Sequence, residues 1–225
     1  MSTDFNYTKP LSYSGLSTFK DCPSKFERNY ILKEEVPRMS APAAERGSRI
    51  HDSIEQYFLG NIELTQLDPE VDEAYYEWFE QLKEAGAEPE HEFGFDHDFN
   101  LVPYDDPTAN LRGKIDLRLK SKKALYWDWK TGKKNDSHYD QKALYGLATL
   151  LEPEVETAAG EMVYLDLVDT SNAITYTSDM LRSYKFLWAK RTEVVRTATE
   201  FPMRPSWKCK WCPFSKPNGG SCPHG

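Results

Sequence analysis

Asp116, Asp128 and Lys130 fall within one short stretch, LRGKIDLRLKSKKALYWDWKTGKK, running from Leu111 to Lys134. Ile115, Leu117 and Leu119 alternate there with Lys114, Asp116, Arg118 and Lys120, the period-2 pattern of a half-buried strand. Ser121-Lys122-Lys123 makes a turn, and Ala124 to Lys130 form a second strand that Thr131-Gly132 ends. In such a hairpin the two aspartates and the lysine project from neighbouring strands into one place, with Asp128 and Lys130 on one face and Trp129 on the other. Two carboxylates converging beside an ammonium suit a hard divalent cation with a positioned lysine. A solvated hairpin edge carries the same charges, and for an arbitrary D-x-K it is the default.

The elements around the hairpin decide between these. At 225 residues the chain makes one domain, or one domain with an appended lobe. Its 39% hydrophobic and 13% aromatic content is enough for a core. No run approaches 18 apolar residues, and MSTDFNYTKP lacks the basic and apolar regions of a signal peptide. An intracellular protein without a membrane partner is expected.

The formal charge of −8 argues against wholesale attraction to nucleic acid, but it is unevenly spread. Asn61 to Asp106 hold 15 Asp/Glu against one basic residue, a balance of −14, which leaves +6 on the remainder. Arg112 to Lys134 hold nine Lys/Arg and two Asp, or +7, so the hairpin sits where a phosphate backbone is expected to lie.

Ser12 to Lys33 reads as a helix capped by Ser12 or Ser14, with Lys20, Lys25 and Arg28 as possible DNA-facing residues. Val36 to Pro42 is a connection. A second helix, from about Ala43 to Leu59, carries Ile50, Ile54, Tyr57 and Phe58 on its apolar side and His51 beside them, and Gly60 stops it. Asp68-Pro69 opens a third, with Val71, Tyr75, Trp78, Phe79 and Leu82 inward and Gly86 after its end. Glu90 to Phe99 alternates as a strand ahead of the hairpin. Tyr139 to Leu151 is helical, Glu161–Val168 and Ala173–Thr177 are strands, and Asp179 to Phe201 is a long helix. This order predicts an α/β core with a mixed central sheet flanked by helices.

His51 alone is more readily a helix histidine satisfied by Glu55 one turn on, and Gln141 and Tyr145, at i and i+4, share a helical face that fits a surface as well as a groove. Four cysteines add a second constellation. Cys209-x2-Cys212 with Cys222 has metal-ligand spacing, and Cys22 is the only candidate for a fourth thiolate.

The ordered set His51, Glu92, Gly113-x-x-Asp116, Asp128-x-Lys130 and Gln141-x-x-x-Tyr145 resembles the PD-(D/E)xK nuclease superfamily. It looks most like the RecB-like exonuclease branch with an iron–sulfur cluster, which includes AddB-type and CRISPR-associated exonucleases. LSYSGLSTFKDCPSKF and RGSRIH look like that branch too, and the resemblance runs from Leu11 to Cys222. It implies that Asp116 and Asp128 bind a divalent metal, Mg²⁺ or Mn²⁺, with His51 and the backbone carbonyl of Trp129. Lys130 would orient or activate the attacking water. Glu92 would support the site, and Gln141 and Tyr145 would touch DNA near the scissile phosphate or buttress Lys130. It also implies that Cys22, Cys209, Cys212 and Cys222 hold a [4Fe–4S] cluster joining the chain ends, with zinc as the competing ion. Nine residues separate Cys212 from Cys222, more than in many relatives.

The resulting expectation is a single nuclease domain over residues 1–225. A cluster lobe takes residues 11–34 and 202–225, and a catalytic core takes 43–200. The expected activity is metal-dependent exonucleolytic hydrolysis at DNA ends, on single strands or frayed duplex, in recombination, repair or other DNA processing. A bacterial, archaeal or phage-infected cell is the expected setting, with a homo-oligomer or recombination and repair proteins as partners. The competing readings are a non-catalytic DNA-binding or adaptor module of the same fold, and an endonuclease or RNA-directed enzyme.

Overall fold

A computed structural model describes residues 7–35, 42–135 and 137–224. The chain packs as two compact units, Ala43–Ala189 and Met1–Pro42 with Lys190–Gly225. No helix among the described residues is long and apolar enough to cross a membrane.

The smaller unit begins with α1 (Tyr13–Asp21), whose Ser12 Oγ accepts the Gly15 N–H at 3.1 Å, the N-cap the sequence predicts. The expected helix to Lys33 is interrupted. Cys22 is extended at φ −158°, ψ 104°, and Pro23 starts a separate turn, α2 (Pro23–Phe26), followed by a π-helical turn at Glu27–Ile31. Proline disfavours helical backbone in the residue before it, which explains the break. The connection expected at Val36–Pro42 lies outside the described residues except for Pro42.

The chain's last segment packs on these helices. Ser24 N–H donates to Pro202 O at 3.3 Å, Arg204 donates to Lys20 O at 2.7 Å, and Lys208 pairs with Asp21 at 2.6 Å. Phe19 meets Phe201 edge-on at 6.2 Å.

The larger unit opens with α3 (Pro42–Phe58), close to the expected bounds, and Gly60 after it takes φ +77°. The helix expected from Asp68-Pro69 starts later, as α4 (Tyr76–Glu84) preceded by a 3₁₀ turn at Glu73–Tyr75. Asp72 caps that turn. The Asp68 carboxylate instead accepts the Glu70 N–H at 2.9 Å and pairs with Arg49, so it shapes a turn. Ile50, Ile54, Tyr57 and Phe58 of α3 join Val71, Tyr75, Phe79 and Leu82 in one buried cluster.

The strands are β1 (Glu88–Phe95), β2 (Leu101–Val102), β3 (Leu111–Leu119), β4 (Lys123–Lys130), β5 (Thr157–Tyr164), β6 (Asp169–Thr170) and β7 (Ile174–Thr177). They form one sheet in the order β2-β1-β3-β4-β5-β6, with β7 also paired to β5. Only β4 and β5 run parallel, and the crossover between them holds α5 (Ser137–Leu150), as a parallel connection requires. The mixed sheet expected from the element order is present. β5 begins four residues before its expected start, because Ala158 and Gly160 continue the parallel pairing with β4. Gly160 faces the Tyr126 ring so closely that a Cβ there would lie 2.1 Å from it. Tyr126 in turn donates to Lys142 O at 2.7 Å and ties β4 to α5. α6 (Leu181–Arg196) contributes residues to both units.

β4 is covered on both faces. Tyr126, Trp127, Asp128 and Trp129 are all buried, with Trp127 and Trp129 in the cluster that contains α3 and α4. Burial on both sides of a strand is what turns an ordinary aspartate into a site candidate.

Candidate active site

β3 and β4 pair through Leu119↔Leu125, Arg118↔Tyr126 and Leu117↔Trp127. The next pair in this register is Asp116 with Asp128, and there the ladder gives way to a side chain. Asp116 Oδ2 accepts the Trp129 N–H at 2.7 Å. Both aspartates therefore stand at the end of the β3–β4 pairing, on neighbouring strands.

From α3, His51 Nδ1 lies 3.3 Å from Asp116 Oδ2, so its partner is Asp116. Burial pulls the His51 pKa down, but the hydrogen bond and charge of Asp116, with the charge of Asp128, outweigh it and leave it raised. Asp128 is 2% exposed and forms an ion pair with Lys130. Burial is the main cause pushing its carboxyl up to about 6, the Lys130 charge opposing and the Asp116 charge adding to the rise. Asp128 Oδ2 is buried and meets the Lys130 ammonium, while Oδ1 accepts from Gln141 Nε2 at 3.3 Å.

Gln141 also donates to the Tyr145 hydroxyl at 2.7 Å. Tyr145 is buried, edge-on to Phe93 and Tyr126, while Gln141 is half-buried on the same face of α5. The pair's hydrogen bonds run to Asp128.

Glu92 is placed differently from the other motif residues. It stands across from Lys114 on β3 and pairs with that lysine at 2.8 Å, with its side chain 46% exposed. Glu90, on the same strand, is less exposed and also pairs with Lys114, at 3.5 Å. Its flanking residues pair as Pro89↔Leu117 and His91↔Ile115, which sets Glu90 opposite Asp116, and its φ is +50°. Burial, then the charges of Asp116 and Glu55, push the Glu90 pKa up. The sequence signal for it was present but unused: Glu88, Glu90 and Glu92 share strand parity, and only the register with β3 separates them.

The donor set of His51, Asp116, Asp128 and the Trp129 carbonyl, oxygens with one imidazole nitrogen, fits a divalent cation in chemistry. Among the described residues, however, no three His, Cys, Asp or Glu side chains close on one point as a single ion demands. Lys130 takes the charge of Asp128, and the Trp129 N–H and His51 take that of Asp116.

The four cysteines all belong to the smaller unit and line one cavity, together with Lys25, Arg28 and Met203. The Ser206 N–H points at Cys209 Sγ at 3.3 Å, and Cys222 Sγ lies 3.7 Å from Met203 Sδ.

A family model described as the PD-(D/E)XK nuclease superfamily matches residues 10–92 and 73–216. A solved structure described as "Crystal structure of SSO0001" is similar in fold, with a TM-score of 0.52 at 16% identity over 93% of this chain and 85% of that one. No curated protein matches.

Proposed function

Because this chain belongs to the PD-(D/E)XK nuclease superfamily, whose members are typically metal-dependent hydrolases of nucleic acid, we propose that it is a DNA exonuclease acting at strand ends. The observation that carries this is the buried Asp128 carboxylate. Its Oδ2 is paired with the Lys130 ammonium, its Oδ1 accepts from Gln141, and Asp116 is held on the neighbouring strand by the Trp129 N–H.

His51, Asp116, Asp128 and the Trp129 carbonyl would hold Mg²⁺ or Mn²⁺, which when bound polarises a phosphoryl oxygen and acidifies water. Lys130 places a positive charge beside the attacking oxygen and stabilises the negative charge that develops there. Gln141 and Tyr145 fix the rotamer of Asp128, and His51 does the same for Asp116. Glu92, through Lys114, has a supporting part at the rim.

Digestion of end-labelled linear DNA beside a covalently closed circle tests the end requirement. The linear substrate is degraded and the circle survives; equal rates on both would make the protein an endonuclease. In the smaller unit, Cys22, Cys209, Cys212 and Cys222 are the ligands proposed for a [4Fe–4S] cluster, supported by their placement around one cavity. Protein purified without oxygen is then brown, whereas colourless protein carrying zinc would assign the site to that ion. Recombination or repair proteins, or further copies of the chain, are the partners that fit an end-processing enzyme.

A further inference from the structure

Two indoles in the smaller unit are left in solvent. Trp207 is 71% exposed and Trp211 is 56% exposed, although tryptophan is among the residues most often sequestered. Both belong to the 3₁₀ turn Trp207–Trp211, sequence W-K-C-K-W, with ring centroids 5.4 Å apart and planes at 90°. In a 3₁₀ turn side chains three apart eclipse, so Trp207 aligns with Lys210 and Lys208 with Trp211. Trp207 and Lys210 line the same shallow groove with Pro205, Ser206 and His224. Lys210 Nζ also lies 3.8 Å above the Trp211 ring.

The charge around them has one sign. From Phe201 to Gly225 the chain carries Arg204, Lys208, Lys210 and Lys216 and no Asp or Glu, and Asp21 reaches in to pair with Lys208. Exposed aromatics interleaved with lysine separate two kinds of occupant. Protein interfaces use tryptophan but deplete lysine. Single-stranded nucleic acid needs both, an aromatic face for each unstacked base and a cation for each phosphate. Duplex DNA offers no free base face to an indole.

We propose that Trp207 and Trp211, with Lys208 and Lys210, form a stacking platform for single-stranded DNA. The choice of DNA as the strand rests on the nuclease reading; the stacking site itself does not. It gives the chain a grip on the strand that does not use the carboxylates of β3 and β4.

The test is binding of a fluorescein-labelled oligothymidylate to the full chain in EDTA, read by anisotropy and by quenching of tryptophan fluorescence. Replacing both indoles (Trp207→Ala with Trp211→Ala) is expected to raise Kd about tenfold or more, as the loss of stacked bases implies. Trp207→Phe with Trp211→Phe keeps the rings and recovers most of the affinity. Lys210→Ala weakens binding and flattens its salt dependence. Cleavage by the wild type with Mn²⁺ is measured separately, so binding intact without metal-dependent cleavage would count against the nuclease reading alone and leave the platform standing. Unchanged oligothymidylate affinity in the double alanine variant, with an unaltered circular dichroism spectrum, would overturn the platform and leave the indoles to a protein partner.

Discussion

The Trp129 N–H donates to Asp116 Oδ2 at 2.7 Å, so the strand carrying Asp128 and Lys130 is fixed to the strand carrying Asp116 through a side chain. Here the Asp116 carboxylate takes the Trp129 N–H while His51 from α3 lies 3.3 Å from the same oxygen, so a strand and a helix together hold Asp116.

Metal binding is expected to be pH-dependent in a set direction. Burial raises the Asp128 carboxyl to about 6, so in the metal-free protein it is protonated below that pH and ionised above it. A cation must displace that proton and also the one on His51, whose pKa is raised, so affinity falls as pH falls through neutrality and on through 6. Thermal unfolding with and without Mn²⁺ reads this: a clear rise in Tm at pH 7.5, a much smaller one at pH 5, and none at either pH for Asp128→Asn.

Glu90→Gln and Glu92→Gln separate the two β1 carboxylates. Both pair with Lys114, but Glu90 is half-buried with its pKa pushed up by burial and by the Asp116 charge, whereas Glu92 stands near solvent. Removing the Glu90 charge is expected to change metal-dependent cleavage about tenfold, the lower bound for outer partners of a metal site, and Glu92→Gln by much less. Steady-state cleavage rates across a Mn²⁺ titration measure both, and a reversed order would restore Glu92 as the supporting carboxylate.

Gln141→Ala removes the donor to Asp128 Oδ1 and to the Tyr145 hydroxyl. Loss of an orienting partner of this kind is expected to cost about 10- to 100-fold in activity or metal affinity. Because Tyr145 lies buried behind it, affinity for DNA measured in EDTA should stay near that of the wild type. A selective loss of DNA binding would instead make Gln141 a direct contact.

The hairpin was legible because its pattern is local: the alternation from Lys114 to Lys120 and the D-x-K spacing set the faces of both strands before any long-range contact forms. His51 was legible as a motif residue, but its partner was not. Glu55 lies one turn away in sequence, while Asp116 becomes the neighbour only when the sheet meets α3. Glu90 was missed for the same reason, since strand parity cannot distinguish it from Glu92 until β1 pairs with β3. The break at Cys22 was readable from Pro23, and the late start of α4 was not, because the Asp68 carboxylate is drawn into turn bonding and into the ion pair with Arg49. Trp207 and Trp211 carried no periodic signal at all. Their meaning comes from exposure.

The central claim is that Asp128 and Lys130 form the working half of a metal-dependent nuclease centre. The direct measurement is Mg²⁺- or Mn²⁺-dependent degradation of end-labelled linear DNA by the wild type, Asp128→Ala and Lys130→Ala, each checked for folding by circular dichroism. The wild type is predicted to degrade the substrate, and each variant to lose about 100-fold or more of that activity while remaining folded. Cleavage by both variants at the wild-type rate would contradict the assignment.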